Sequence, residues 1–194
     1  MDKLSKFMTD HSLGDKGKEA IMDFQVSWVL RMAADENYTK DKPAFSLYSK
    51  YMLFKLLNKP FPNKEEIVSV KVWKEWANID ICAEVELKDG DKKEFHVLLI
   101  ENKVYTSMKA WQRDDYPKAL EQFYQEHGRG EHTPHNVLIT CTDSDAEFEK
   151  LEEFCNGFDW KVISIYDLIL DINKETESEL FNEFWIYNWG RLTE

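Results

Sequence analysis

From residue 79 to residue 103 the chain reads IDICAEVELKDGDKKEFHVLLIENK, and this stretch says more about the fold than any other. Residues 79–87 alternate apolar and polar side chains, which is the period of a strand with one buried face. The pair Asp89-Gly90 is a strong hairpin signal. Residues 94–104 then predict a returning strand, whose apolar run 97–100 is typical of the buried centre of a sheet. The stretch therefore predicts a β-hairpin at the centre of the domain.

The segments on either side of this hairpin carry further helix and strand patterns. Apolar side chains recur at helical spacing over 19–31 and 46–57, and residues 67–73 have strand composition. Downstream we expect a helix ending at Gly128, a strand over 136–141, a helix over 144–155, a strand over 161–165 and a last amphipathic helix. This order predicts an α/β fold with a mixed central β-sheet flanked by helices. We expect residues 1–194 to form a single domain.

Charge limits the classes of partner. The chain carries a formal net charge of −12, whereas proteins that hold nucleic acid unaided usually present a basic face. A site built from carboxylates is itself acidic until a metal binds, so the acidity does not exclude such a partner. Eight lysines between Lys40 and Lys74 concentrate positive charge locally. They form either a solvated helical face or a surface that meets phosphate.

Apolar runs, cysteines and histidines give weaker expectations. No run approaches the roughly 20 apolar residues that span a bilayer, and residues 1–18 lack the apolar stretch of a secretory signal, so we expect a cytoplasmic protein without a membrane partner. The three cysteines show no CxxC spacing and are expected to be small apolar fillers. The five histidines show no metal-ligand spacing and are expected to be exposed.

The residues that suggest chemistry lie on the hairpin. Glu101 and Lys103 are two apart on a strand, so both side chains leave the same face. If an even-numbered turn is centred on Asp89-Gly90, Asp80 lies opposite Leu99 and diagonally across from Glu101, roughly 7 to 8 Å away at the backbone. An odd-numbered loop would send the two carboxylates to opposite faces. Two carboxylates held together in a partly buried place favour a hard cation such as Mg2+ or Mn2+.

An isolated Glu-x-Lys on a strand has an ordinary explanation as well, because most such pairs are solvated at a sheet edge. Here the pair directly follows the buried run 97–100, where charged side chains need a physical reason to be present. Spacing alone leaves both interpretations open.

The stretch Asn78-Ile79-Asp80-Ile81, followed after the hairpin by LIENKV, resembles the PD-(D/E)xK nuclease superfamily, in particular the bacterial branch whose third motif reads IENK. In that branch a Gln follows the lysine and a Tyr lies four residues after the Gln, where this chain has Gln112 and Tyr116. The resemblance implies a restriction-endonuclease-like core that hydrolyses phosphodiester bonds, as an endonuclease or exonuclease, with DNA as the expected substrate. By analogy it also allows a homodimer.

The resemblance further implies roles for individual residues. Asp80, Glu101 and the backbone carbonyl of Asn102 would bind Mg2+, with Mn2+ as a substitute. Lys103 would assist the attacking water and Gln112 would support the site, as would Tyr116. An acidic residue of the first helix often completes such sites, and the candidates here are Glu19 and Asp23.

The chain also departs from the family pattern. Asn78 replaces an arginine two residues before the metal-binding aspartate, and Arg113 replaces a leucine after the glutamine. Pro117 predicts a break in any helix that starts near Gln112. These departures support an alternative in which the chain is a catalytically degenerate nuclease-fold protein that acts as a binding or scaffold module. Trp73, Trp76 and Trp111 lie near the motifs and would either stack on bases or pack in the core.

Overall fold

The computed structural model describes residues 14–170 and 174–189. The first half contains three helices and three strands: α1 (Gly14–Met32), α2 (Glu36–Asp41), α3 (Pro43–Leu56), β1 (Glu66–Trp76), β2 (Ile79–Asp89) and β3 (Lys92–Lys103). The second half alternates helices and strands: α4 (Ala110–Glu126), β4 (Thr133–Thr140), α5 (Asp145–Cys155) and β5 (Trp160–Ser164). A 3-10 turn follows at Ile165–Leu168, and the last described segment comprises α6 (Glu179–Phe181), a π-helical turn (Asn182–Ile186) and α7 (Tyr187–Trp189).

The strands form one mixed sheet in the order β1-β2-β3-β4-β5. The first three are antiparallel neighbours joined by hairpins, and β4 and β5 continue the sheet in parallel with β3. Parallel pairing requires crossover connections, which α4 and α5 provide. The predicted mixed α/β fold with a helix-flanked central sheet is therefore confirmed at this level.

Helices cover both faces of the sheet, which gives two hydrophobic clusters. The larger cluster joins α1, α3 and the C-terminal helical segment to alternate sheet residues that include Ile81, Val85, Leu98 and Ile100. The smaller cluster joins α4 and α5 to the intervening sheet residues, among them Cys82 and Leu99. Alternation along β2 and β3 thus divides their apolar side chains between two cores. Ile79 is the exception to the alternation of residues 79–87, which predicts the same face for Ile79 and Ile81: it packs in the smaller cluster, next to the turn that precedes β2.

The register of the central hairpin differs from the predicted one by two residues. Asp89 pairs with Lys92, so the two-residue turn consists of Gly90 and Asp91 rather than Asp89 and Gly90. Gly90 has a φ of 61°, a left-handed conformation that glycine adopts without steric cost, and this explains the position of the turn. Cys82, not Asp80, consequently lies opposite Leu99. Because strand side chains repeat every two residues, the shift leaves the predicted faces unchanged.

A second tight turn connects β1 and β2 and was not foreseen. Trp76 pairs with Ile79, and the turn residues Ala77 and Asn78 both have positive φ, at 53° and 65°. This is the conformation of the two-residue turns that suit a twisted hairpin. Asparagine tolerates it better than arginine would, which gives a structural reason for Asn78. The short helix α2 was also missed.

Helix α4 runs unbroken through Pro117, so the predicted break is wrong. A proline has no N–H for the carbonyl four residues earlier, which here belongs to Arg113. That carbonyl instead accepts a hydrogen bond from the indole Nε1 of Trp160 at 2.9 Å. The side chain of Arg113 also holds α4 against α5, because its Nη1 donates to the Phe154 carbonyl at 2.8 Å and its guanidinium covers the Phe158 ring. Arg113 therefore has a packing role.

The cysteines and histidines give mixed outcomes. Cys82, Cys141 and Cys155 are buried with free thiols among apolar neighbours, as expected of fillers. The expectation of exposed histidines is wrong for His96, which is buried, and for His135, which is half-buried and contacts it. His132 is half-buried and His127 is exposed, while His11 lies outside the described residues. Within residues 14–170 and 174–189, no helix has the length and apolarity needed to cross a membrane.

Candidate active site at the end of the central hairpin

Strand β3 ends in Glu101, Asn102 and Lys103, and these side chains alternate between the two faces of the sheet. Glu101 is fully buried and Lys103 is nearly so. The Lys103 Nζ lies 2.5 Å from Glu101 Oε1, so the two side chains share one face as predicted. This face is the one that α4 covers, which places the pair between the sheet and the first turn of that helix.

Asp80 joins this pair from the neighbouring strand. The register of β2 and β3 leads from Ile81 opposite Ile100 to Asp80 next to Glu101. Asp80 Oδ2 accepts a hydrogen bond from the backbone N–H of Asn102 at 3.0 Å, and its carboxylate is near enough to raise the pKa of Glu101. The even-numbered turn therefore brings the two carboxyl groups together on one face.

Helix α4 supplies two further polar groups through its first turns. Gln112 Nε2 donates to Glu101 Oε1 and, at 3.3 Å, to the hydroxyl of Tyr116. Gln112 Oε1 accepts from the backbone N–H of Lys109 at 2.9 Å, which fixes the side chain at the start of the helix. Tyr116 donates its hydroxyl hydrogen to the carbonyl of Asn78. Gln112 and Tyr116 thus link α4 to the end of β3 and to the turn between β1 and β2.

The two acidic candidates of α1 occupy different positions. Asp23 is buried on the opposite face of the sheet, where its Oδ1 accepts from Asn102 Nδ2 at 2.7 Å. Glu19 lies beyond the end of β3, where Oε1 accepts from the backbone N–H of Val104 at 3.2 Å and from the Thr106 hydroxyl. Glu19 therefore anchors the loop after β3, while Asp23 supports Asn102. Nothing in the pattern of the sequence indicated the role of Thr106.

Burial dominates the electrostatics of these groups. It raises the pKa of Glu101 to about 7, with a further contribution from the Asp80 carboxylate. Burial likewise raises the pKa of Asp80, and burial together with Asp80 raises the pKa of Asp23 to about 7. Burial opposes the charge of Lys103, but its contacts with Glu101 and the nearby Asp80 outweigh that effect and raise its pKa. The carboxyl groups are therefore held where their negative charge is costly.

The donor set fits a hard divalent cation. Glu101 Oε2 is buried and has no hydrogen-bond partner, which is costly for a polar atom shielded from water. Across residues 14–170 and 174–189, no three His, Cys, Asp or Glu side chains converge closely enough to hold a metal ion. Mg2+, however, is often bound by only one or two carboxylates, and its remaining ligands are water or substrate oxygens. Asp80 and Glu101 meet that lower requirement.

Comparisons with models of protein families, with curated proteins and with solved structures found no match to this chain. Its function must therefore be argued from the site itself.

Proposed function

We propose that this protein is a metal-dependent nuclease of the PD-(D/E)xK type, which hydrolyses phosphodiester bonds, with DNA as the expected substrate. The observation that carries the proposal is that Lys103 and Gln112 both bond to the buried Glu101 carboxylate, while Asp80, on the neighbouring strand, bonds to the backbone N–H of Asn102. Three antiparallel strands, a crossover helix and a parallel fourth strand support the restriction-endonuclease-like core implied by the resemblance.

The ligand set in this proposal consists of Asp80, Glu101 and the backbone carbonyl of Asn102. A bound Mg2+ or Mn2+ would acidify a water molecule and stabilise charge on a phosphodiester oxygen. The backbone of Asn102 is held in place from both sides, because its N–H binds Asp80 and its side-chain amide binds Asp23. Asp23 and Glu19 are positioning residues in this scheme.

Lys103 and Gln112 would act on the oxygens around the reacting phosphate. The Lys103 ammonium is a buried positive charge beside Glu101, and such a charge can hold a hydroxide or a phosphate oxygen in place. Gln112 fixes one oxygen of Glu101, which leaves Oε2 as the oxygen without a partner. Tyr116 orients Gln112 through the 3.3 Å hydrogen bond.

The alternative is a catalytically degenerate nuclease fold that serves as a binding or scaffold module. One observation favours it: Lys103 and Gln112 both bond to Glu101 Oε1, and Asp80 bonds to the backbone, so three polar interactions stabilise the site without a cation. The net charge of −12 also suits a protein that does not hold nucleic acid by a basic face.

A cleavage assay separates the two functions. Plasmid, linear duplex, single-stranded DNA and RNA would be incubated with Mg2+ or Mn2+ and wild type, Asp80→Asn or Lys103→Met. The nuclease predicts cleavage by wild type and a loss of at least about a hundredfold in both variants. Asp115→Asn, on the exposed side of α4, is the matched control and should cleave like wild type. Equal traces of cleavage by all four proteins would indicate contamination and would favour the scaffold.

A further inference from the structure

Two exposed aromatic side chains lie beside the candidate active site. Tyr105 is 57% exposed and Trp111 is 47% exposed, and they are near neighbours in sequence of Lys103 and Gln112 respectively. A third exposed ring, that of Phe24 at 65%, follows Asp23 on the side of the sheet that α1 covers. Large apolar rings lose free energy when they face water, so Tyr105 and Trp111 beside one site suggest a ligand that covers them.

The backbone and neighbouring side chains hold two of these rings in position. The Trp111 ring packs nearly perpendicular to the Tyr116 ring at 5.5 Å, and Tyr116 is itself bonded to Gln112 and to the Asn78 carbonyl. Tyr105 has a φ of 59°, an unusual conformation for a residue with a bulky side chain. This backbone conformation turns the chain away from the direction of β3 just after that strand ends at Lys103.

Lysines accompany two of the rings. The Nζ of Lys74 lies 3.5 Å above the centre of the Phe24 ring. The Nζ of Lys18 lies 5.8 Å from the centre of the Tyr105 ring. Positive charge therefore stands beside Tyr105 at the site even though the whole chain is strongly acidic. Proteins that bind single strands use the same combination: aromatic faces stack on the bases, and ammonium groups contact the phosphates.

The polar groups of the site are more deeply buried than these rings. Glu101 is fully buried, and Lys103 and Gln112 are nearly so, whereas the three rings are roughly half exposed or more. In a duplex the bases are stacked inside, and an exposed ring finds no base face to contact. An unpaired strand offers its bases to the rings while one phosphate approaches Lys103.

We infer that the site takes single-stranded nucleic acid, with unpaired bases stacked on Trp111 and Tyr105 and a phosphate at Glu101 and Lys103. This inference rests on the proposed function and specifies the substrate class of the same site.

The test measures the affinity for labelled oligodeoxythymidylate, oligouridylate, an abasic strand of equal length and a duplex, with Ca2+ in place of Mg2+. Trp111→Ala and Tyr105→Ala should each weaken binding to the intact strands by at least about fivefold and leave abasic binding unchanged. Trp111→Phe should retain wild-type affinity. The matched control is Phe95→Ala, since Phe95 is also exposed but precedes Lys103 by eight residues on β3, about 26 Å away.

Three results would overturn the inference: equal affinity for intact and abasic strands, tighter binding of the duplex, or an equal effect of the alanine variants on every probe. The DNA and RNA arms identify which sugar the strand carries. A parallel cleavage assay in Mg2+ distinguishes the two proposals. Metal-dependent cleavage without any dependence on the rings refutes only the single-strand inference. Ring-dependent binding without cleavage refutes only the nuclease, and no binding to any probe refutes both.

Discussion

At the scale of single residues, the candidate site concentrates negative charge where solvent cannot screen it. Asp80 and Glu101 lie side by side, and Asp23 lies on the other side of β3, bonded to the same strand through Asn102. Burial raises the pKa of all three carboxyl groups. Lys103 supplies one positive charge against them, so the free protein holds this negative charge at a cost in stability.

Asp80→Asn should therefore stabilise the metal-free protein. A raised pKa means that the folded state binds a proton more tightly than the unfolded chain, so the Asp80 carboxyl contributes stability at low pH that is lost as the pH rises. The amide removes this loss, and its oxygen can still accept from the Asn102 N–H. In chelator at mildly alkaline pH we expect a gain on the order of 1 kcal/mol in urea unfolding.

Asp115→Asn controls for the general effect of removing one negative charge from an acidic protein. Asp115 is exposed on α4, and surface substitutions of this kind usually change stability by less than about 0.5 kcal/mol. The gain for Asp80→Asn should shrink towards acidic pH, where the carboxyl is protonated in wild type. A variant less stable than wild type at every pH would show that the carboxylate is a structural group rather than a ligand held at a cost.

His135 gives a second pH-dependent prediction, away from the site. Its Nε2 lies 3.0 Å from Nδ1 of the buried His96, and Lys59 and Lys161 also act on it. Burial, with a smaller contribution from His96, lowers the pKa of His135 from 6.5 to about 4. The stability that depends on a neutral His135 is thus present above pH 6.5 and is lost as the pH falls towards 4.

His135→Gln should flatten the decline of unfolding free energy between these pH values, by about 1 to 2 kcal/mol across the window. The measurement is urea unfolding of wild type and variant at several pH values. His127→Gln, at an exposed position on the end of α4, should follow the wild-type curve. If His135→Gln left the decline of unfolding free energy with pH unchanged, the pKa of His135 would be the same in the folded and the unfolded protein.

At the scale of elements, the sequence predicted which residues share a face better than it predicted their partners. Asp80, Glu101 and Lys103 share a face because strand periodicity survives a shift of two residues. The exact register followed instead from Gly90, which occupies a left-handed turn position. The contacts of Glu19 and the pairing of His96 with His135 join residues distant in sequence, and no local pattern indicates such contacts.

Helix α4 shows how a tertiary contact overrides a local rule. Pro117 leaves the Arg113 carbonyl without its helical partner, and the indole of Trp160, at the start of β5, takes that place. Gln112 and Tyr116 lie on α4 just before Pro117. A sequence-based argument could identify the missing hydrogen bond but not the distant residue that replaces it.

A double-mutant cycle tests this compensation. Trp160→Phe should lower the free energy of unfolding by about 2 kcal/mol, because it removes one hydrogen bond and some buried volume. In a Pro117→Ala background the alanine N–H can bond to the Arg113 carbonyl, so the same change should cost about 1 kcal/mol less. Urea unfolding of the four proteins measures this coupling. An equal cost in both backgrounds would show that the indole bond does not compensate for the proline.

At the scale of the whole molecule, the site lies at the end of β3, the central strand of the sheet. The antiparallel neighbour β2 carries Asp80 on one side of β3, and the parallel neighbour β4 lies on the other side. The backbone N–H of Cys141 bonds to the Lys103 carbonyl at 3.1 Å, so β4 still holds the chain at the last residue of β3. Ligands of sheets with parallel strands commonly bind at these carboxyl ends.

Metal binding at such a site should stabilise the entire domain. A ligand that binds only the folded state, at a hundredfold excess over its Kd, adds about 2.7 kcal/mol, which for a chain of this size corresponds to roughly 5 to 10 °C in Tm. We expect Mg2+ and Mn2+ to raise the Tm of wild type by an amount of this order at constant ionic strength. Differential scanning calorimetry would measure the shift.

The variants decide what causes that shift, because an acidic protein also gains stability when cations screen its surface. Screening depends on the total charge, so it predicts the same shift for wild type, Asp80→Asn and Asp115→Asn. Binding at the site predicts the full shift for Asp115→Asn and none for Asp80→Asn. If Asp80→Asn still responded fully to Mg2+, the ion would be bound elsewhere on the molecule, and the ligand role of Asp80 would be wrong.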